Sequence, residues 1–215
     1  MAKWKPGTPV VIKTRRFTLR SIAPEEVDER LFGWLTDDDL MHFLGGGWRT
    51  ESVETLRESI AKLYDDKSQF ILGVYHDGRL IGCYWIEGYL RLRTACTHHV
   101  LGDRDWWGKG VPMECREAIL DWLFSVGFER IEGRPYTTCV RAVRGYIKQG
   151  WQVEGVARRA TRDRAGRRHD NMLFAMLPED WVAYKRKRRA EQEAAQRAAE
   201  RGKGDQGNPE AAKKQ

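Results

Sequence analysis

Arg104 to Phe124 reads RDWWGKGVPMECREAILDWLF: two tryptophans, then Gly108-Lys109-Gly110, then Pro112, then an apolar run at helical spacing. Glycines where a loop hands over to a helix leave backbone N–H groups uncovered by any Cβ. The first N–H groups of a helix lack internal partners and carry partial positive charge, so such a turn suits phosphate oxygens. Pro112 stands near the first helical position, where a missing N–H costs nothing, and Lys109 adds a cation. The spacing predicts a helix from Val111 to about Val126, with Met113, Ile119, Leu120, Leu123 and Phe124 toward one face. Taken alone, Gly-x-Gly before a helix is a weak signal, and the tryptophans could equally cap a core.

The whole chain sets bounds around that stretch. Its 215 residues allow one substantial domain with a tail, and 41% hydrophobic content supplies a real core. The first residues lack the apolar run of a signal peptide, and no run approaches the ~18 residues of a membrane span. The expectation is therefore a cytoplasmic protein without membrane attachment, with monomer and homodimer both open. Cys83, Cys96, Cys115 and Cys139 have no C-x-x-C spacing, so they read as free thiols rather than metal ligands. The net charge of +7 is local. Arg158–Arg168 holds six arginines against one aspartate, and Lys185–Gln215 ten Lys/Arg against five Asp/Glu, so the remaining body is mildly acidic.

Outward from the glycine turn, the pattern predicts an α/β chain in the order β-α-α-β-β-β-α-β-α-β-β. The expected elements are a strand over Arg16–Ile22, helices over Ala23–Leu35 and Thr50–Tyr64, and a hairpin turning at His76-Asp77-Gly78. Thr50 and Ser52 are candidate caps, but neither has Glu or Gln three residues on, so no capping box is expected. A strand over Thr94–Leu101 precedes the glycine turn. After its helix come a short strand (RIEGRPY), a helix over Val140–Gly150 and two strands turning at Asp163–Gly166. From Pro178 a helix leads into GKGDQGNPEAAKKQ, which reads as disordered. The implied domains are an N-terminal extension (1–13), a main folded domain (14–182) and a basic tail (183–215).

Asp105-Trp106-Trp107-Gly108-Lys109-Gly110 resembles motif A, Q/R-x-x-G-x-G/A, of the GNAT superfamily of N-acetyltransferases. The longer WWGKGVPMECREA is similar to the W-G-K-G-x-A-x-E-A form found in the branch of ribosomal-protein N-terminal acetyltransferases and their spermidine- and antibiotic-modifying relatives. TRRFTLRSI resembles that branch's opening T-x-R-L-x-L-R. The segment RAVRGYIKQGWQVEG resembles A-x-x-x-Y-x-K-x-G-F-x-x-E-G at Ala142, Tyr146, Lys148, Gly150 and Trp151. The ending of that branch is matched at Arg158, Gly166, Asp170 and Trp181. These four segments keep the family's order over about Thr14–Trp181. Two positions depart: Asp105 replaces Gln or Arg, and Cys139 stands where the family often has Asn.

The resemblance implies a mixed, mostly antiparallel sheet of about seven strands flanked by helices, with acetyl-CoA as cosubstrate and no metal. It places the pyrophosphate on Trp107, Gly108, Lys109, Gly110 and Val111, with Cys139 nearby. It gives Val100 and Leu101 to the pantetheine arm and the thioester oxygen, and makes Tyr146 the acid for the departing thiolate. A packed aromatic is the alternative for Tyr146. His98 and His99 precede the loop on one strand, so one should face the acceptor cleft and the other the opposite side. Either could serve as base, or be an ordinary sheet histidine. The arginine-rich hairpin, with Arg158 and Arg159, is expected beside the amine acceptor. It could bind phosphates or carboxylates or be merely solvated, and with the basic tail it raises the possibility of nucleic acid or the ribosome as partner. A non-catalytic acyl-CoA-binding module is the remaining alternative, kept open by Asp105 and Cys139.

Overall fold

The computed structural model describes residues 4–42, 44 and 50–204. Eight strands form one sheet: β1 (Val11–Lys13), β2 (Thr18–Ser21), β3 (Gln69–His76), β4 (Arg79–Tyr89), β5 (Thr94–Val100), β6 (Arg130–Gly133), β7 (Gln152–Arg162) and β8 (Arg168–Met176). Their order is β1-β2-β3-β4-β5-β6-β8-β7, and only β5 and β6 run parallel. The parallel pair is what the intervening crossover helix demands, since a parallel neighbour cannot be reached by a hairpin. The helices are α1 (Glu29–Thr36), α2 (Asp38–Met41), α3 (Val53–Leu63), α4 (Val111–Ser125), α5 (Val140–Lys148) and α6 (Pro178–Gly204).

Chain contacts divide the protein after Pro178. The second unit holds nearly all of α6, where Trp181 stacks on Tyr184 and Lys187–Glu191 and Arg189–Glu193 pair along the helix. Its helix includes Gly202–Gly204, the start of the stretch expected to be disordered; Asp205–Gln215 lie outside the described residues.

Three sequence expectations are corrected. Val11–Lys13, assigned to an N-terminal extension, is an edge strand: the β-branched run Val10-Val11-Ile12 pairs Val11–Lys13 with Thr18–Arg20, which brings the sheet to eight strands. The helix expected from Ala23 starts at Glu29. Pro24–Glu26 is a single 3-10 turn, and Asp28 caps the true helix by accepting from the Leu31 N–H at 2.9 Å. A capping box does form at α3, because the Thr55 hydroxyl replaces the usual glutamate. Ser52 N–H donates to Thr55 Oγ1 at 3.0 Å, and Thr55 N–H donates to Ser52 Oγ at 3.2 Å.

The β3–β4 hairpin turns at Asp77 (φ 47°) and Gly78 (φ 79°), the two positive angles of a type I′ turn. The two sheet faces are buried by different helices. Leu31, Leu35, Met41, Leu56 and Ile60 from α1–α3 pack on Ile71, Cys83, Trp85 and Val100. Phe70, on the opposite face from Ile71, meets Trp122 of α4 at 5.2 Å between ring centroids.

Candidate active site

β5 pairs with β6 only from Thr94 to Cys96, against Arg130–Glu132. Beyond Cys96 the two strands part, and Thr97–Val100 keep a partner only in β4. The site forms around this opening.

At its head, Gly108 (φ 75°) and Gly110 (φ 74°) both adopt left-handed backbone, and Gly110 is the N-cap of α4. A Cβ on Gly108 would meet nothing within 4 Å, so the loop faces open space there. Among the described residues, the N–H groups of Gly108, Gly110, Val111 and Met113 find no acceptor. The two tryptophans divide the labour. Trp106, half-buried, packs edge-on to Phe17 at 5.4 Å and lies 4.4 Å from the His76 ring. Trp107, partly exposed, donates its indole N–H to the Leu101 carbonyl at 2.8 Å and so ties the loop to the end of β5. Arg104 and Arg141 lie 5.3 and 5.5 Å from its ring. Lys109 is exposed, with its ammonium 5.4 Å from the Trp106 ring. Asp105 is exposed, and its N–H is held by Asp103.

The loop is held from behind by residues whose role the sequence did not disclose. Glu114, in the first turn of α4, accepts from Thr14 Oγ1 at 2.7 Å, from the Arg16 N–H at 2.9 Å and from Arg16 Nε at 2.7 Å. Arg16 also donates to the Lys109 carbonyl at 2.9 Å. The Thr-x-Arg of the opening segment is therefore a brace between the β1–β2 turn and the glycine loop. Glu114→Ala is expected to destabilise the fold by about 1–3 kcal/mol, since three donors lose their acceptor; urea denaturation measures it.

Farther down the opening, Tyr146 projects from α5 against β6, where a Cβ on Gly133 would overlap its ring. It stacks on Phe174 and meets Trp151 edge-on. Burial raises its phenol pKa above the usual 10, opposed by Arg116, so it is protonated at neutral pH. Cys139 is the N-cap residue of α5 and half-buried. The Leu101 N–H, like the loop amides, has no protein partner.

The two histidines lie on opposite faces, as alternation requires. His98 stacks on Trp85 at 5.3 Å, on the face covered by α1–α3. Its Nε2 is buried without a hydrogen-bond partner, 4.0 Å from Glu87 Oε1. Burial lowers its pKa, Glu87 raises it and Arg134 lowers it, leaving a neutral ring. His99 stacks on Tyr84 at 5.1 Å on the α4 face, where burial, Arg116, His98 and Arg141 push its pKa down to about 3. A ring so reluctant to take a proton is a poor base.

The arginine hairpin is less free than its composition suggests. Arg164 reaches across to donate to Thr36 O at 2.8 Å, Leu35 O at 3.1 Å and Asp38 Oδ1 at 2.6 Å. Arg167 and His169 both bond Asp163, whose carboxyl is held well below its ordinary range, chiefly by His169. The Arg168 guanidinium donates to Arg159 O at 3.1 Å, and Asp170 accepts the Arg159 N–H at 2.6 Å. Arg158, Arg159 and Arg162 keep exposed side chains. The sequence LGGGWRT (Leu44–Thr50) reads, with the N-terminal helices, as shaping the acceptor pocket; its residues 45–49 lie outside the described residues. Among the described residues, no group of three His, Cys, Asp or Glu is placed to hold a metal.

Uncovered amides at a helix mouth, a parted β5/β6 pair and a tyrosine at the parting define an acyl-transfer architecture. Residues 16–152 match the acetyltransferase (GNAT) domain model, and the chain belongs to this family of acetyltransferases. No curated protein matches it in sequence. Among solved structures it is similar to a GCN5-related N-acetyltransferase from Brucella melitensis, at 16% identity and TM-score 0.71, covering 88% of this chain and 90% of that one. Mycobacterium smegmatis RimJ, in complex with CoA-disulfide, aligns at 16% identity and TM-score 0.69, covering 82% and 91%. The ribosomal-protein-S5-alanine acetyltransferase from Vibrio fischeri aligns at 16% identity and TM-score 0.66, covering 80% and 98%.

Proposed function

We propose that the chain is an acetyl-CoA-dependent N-acetyltransferase that modifies a primary amine, of a protein N-terminus or a small molecule, by direct attack in a ternary complex. The observation that carries this reading is the set of unpartnered N–H groups at Gly108, Gly110, Val111 and Met113, at the mouth of α4 beside the parted strands. The donor set fits a diphosphate: main-chain amides, a helix N-terminus, and the cations Lys109 and Arg141. Acetyl-CoA would supply the acetyl group as a thioester. Leu101 N–H would donate to the thioester oxygen. Tyr146 Oη would give a proton to the leaving sulfur.

A primary amine with pKa near ~10.4 is neutral in only about one molecule in 2,500 at pH 7, so the acceptor must be deprotonated and held. His98 Nε2, neutral and without a partner, can accept the amine proton directly or through water. Below its lowered pKa the ring is protonated and can no longer accept. The acid limb of kcat/KM is therefore expected below pH ~6.5. His98→Gln should remove that limb and cost roughly 100-fold in kcat/KM; a pH–rate series on both proteins checks it.

The likeness in fold to the ribosomal-protein-S5-alanine acetyltransferase favours an N-terminal amine of a protein. The exposed Arg158, Arg159 and Arg162 suit an acidic or phosphate-bearing acceptor, and a nucleotide amine is the second reading. Three buried cysteines and one half-buried, none in a disulfide, fit a cytoplasmic setting. A thiol-release screen with acetyl-CoA against N-terminal peptides, polyamines, antibiotics and amine-bearing nucleotides is the test. Release with one class names the acceptor. Tight CoA binding with no release across the set would overturn the catalytic reading in favour of a binding module.

A further inference from the structure

The buried stripe of α4 is Val111, Cys115, Arg116, Ile119, Leu120 and Leu123. One of its six positions is an arginine, 3% exposed. Among the described residues no carboxylate lies within ion-pair reach of Arg116, and its Nε is buried without a hydrogen-bond partner. One amino group donates to Gln149 Oε1 at 3.0 Å, and Gln149 Nε2 in turn donates to the Met113 carbonyl at 2.9 Å. The guanidinium carbon lies 4.2 Å from the centre of the Tyr146 ring. A cation taken out of water with no counter-ion costs the fold dearly, and an apolar side chain of similar volume usually restores stability. The carbonyl end of α5 beside it returns only part of that cost. Such a residue in a core position calls for a reason other than packing.

We propose that Arg116 is a positioning residue that makes Tyr146 a better proton donor, by holding a fixed positive charge against the face of its ring. The inference rests on the reading of Tyr146 as the acid. When Tyr146 Oη gives its proton to the sulfur, which keeps the C–S electron pair, the phenol is left as a phenolate. That negative charge forms beside a cation already in place, which needs no reorganisation. The proton taken up from the amine passes through His98 or solvent and restores the phenol. The other groups facing Tyr146 do not supply this charge. Thr97, Cys96, Cys139 and Tyr84 have no cationic form, and Phe174 and Trp151 are packing partners.

The test places a trifluorotyrosine at position 146 and follows its phenol titration by absorbance in the wild-type, Arg116→Met and Arg116→Lys backgrounds. The expected result is an upward shift of more than about one unit with Met and little shift with Lys. In the unlabelled protein, Arg116→Met is expected to lower kcat about 30-fold with KM little changed, and to leave Tm unchanged or raised. Adding Arg116→Met to Tyr146→Phe should cost nothing further. If Arg116→Met is insoluble, Arg116→Gln gives the same comparison against Lys. An unmoved titration, or a fall in Tm with losses that add to those of Tyr146→Phe, makes Arg116 a structural prop and overturns the inference. Full turnover in Tyr146→Phe alone instead removes the donor reading, and the titration still reports whether Arg116 acts on the phenol.

Discussion

Tyr146→Phe is expected to lower kcat by roughly 100- to 1,000-fold while leaving the Kd for CoA within about twofold, the size of effect that loss of a positioned acid produces. The separation of the two constants is the informative part. Tyr146 sits at the parting of β5 and β6, well packed by Phe174, Trp151 and the Gly133 backbone, and the phenylalanine keeps every one of those ring contacts. Only the hydroxyl is lost. Its buried phenol holds its proton more tightly than free tyrosine, so it stays a donor through the neutral range; its titration limb belongs above pH 10. Single-turnover measurement with saturating acetyl-CoA and the acceptor found by screening would show the loss in the chemical step. Undiminished turnover would return Tyr146 to the role of a packed aromatic.

Gly108→Val is expected to weaken CoA binding by roughly 100-fold or more, which corresponds to losing one or two hydrogen bonds to a charged phosphate. The argument is local. Gly108 sits at φ 75°, a conformation that a β-branched residue tolerates poorly, and in the proposed complex its backbone would lie against the diphosphate. Because an added side chain meets no protein atom there, the fold should lose only the strain of that one residue, on the order of 1–3 kcal/mol. Isothermal titration with CoA together with a melting curve separates the two effects. Normal affinity in a folded Gly108→Val protein would move the phosphate site elsewhere.

The elements most legible in the sequence are those decided by neighbours in the chain. Asp77-Gly78 announces its turn because both residues tolerate positive φ. Gly108, Gly110 and Pro112 announce a helix mouth for the same kind of reason. What stayed hidden depends on partners far away in sequence. Arg164 reads as one more free cation until it is seen bonding Leu35, Thr36 and Asp38. Arg16 and Glu114 are 98 positions apart, and nothing in either local pattern pairs them. The Ser52–Thr55 box was missed because a hydroxyl performs what glutamate usually does. Arg116 was visible in principle. It occupies a place in the apolar period of α4, and a charged residue there is the kind of local contradiction that marks a site.

The sheet is two leaves on a short spine. β1–β5 form one leaf and β6, β8 and β7 the other, and only three facing residue pairs, Thr94–Cys96 with Arg130–Glu132, stitch them together. The glycine loop proposed to hold the diphosphate hangs from the first leaf, while the arginine hairpin belongs to the second. A lineage could recut the second leaf for a new acceptor and leave the coenzyme grip untouched. Arg164, which pins the hairpin tip to the end of α1 and the start of α2, is the tether such remodelling would have to respect.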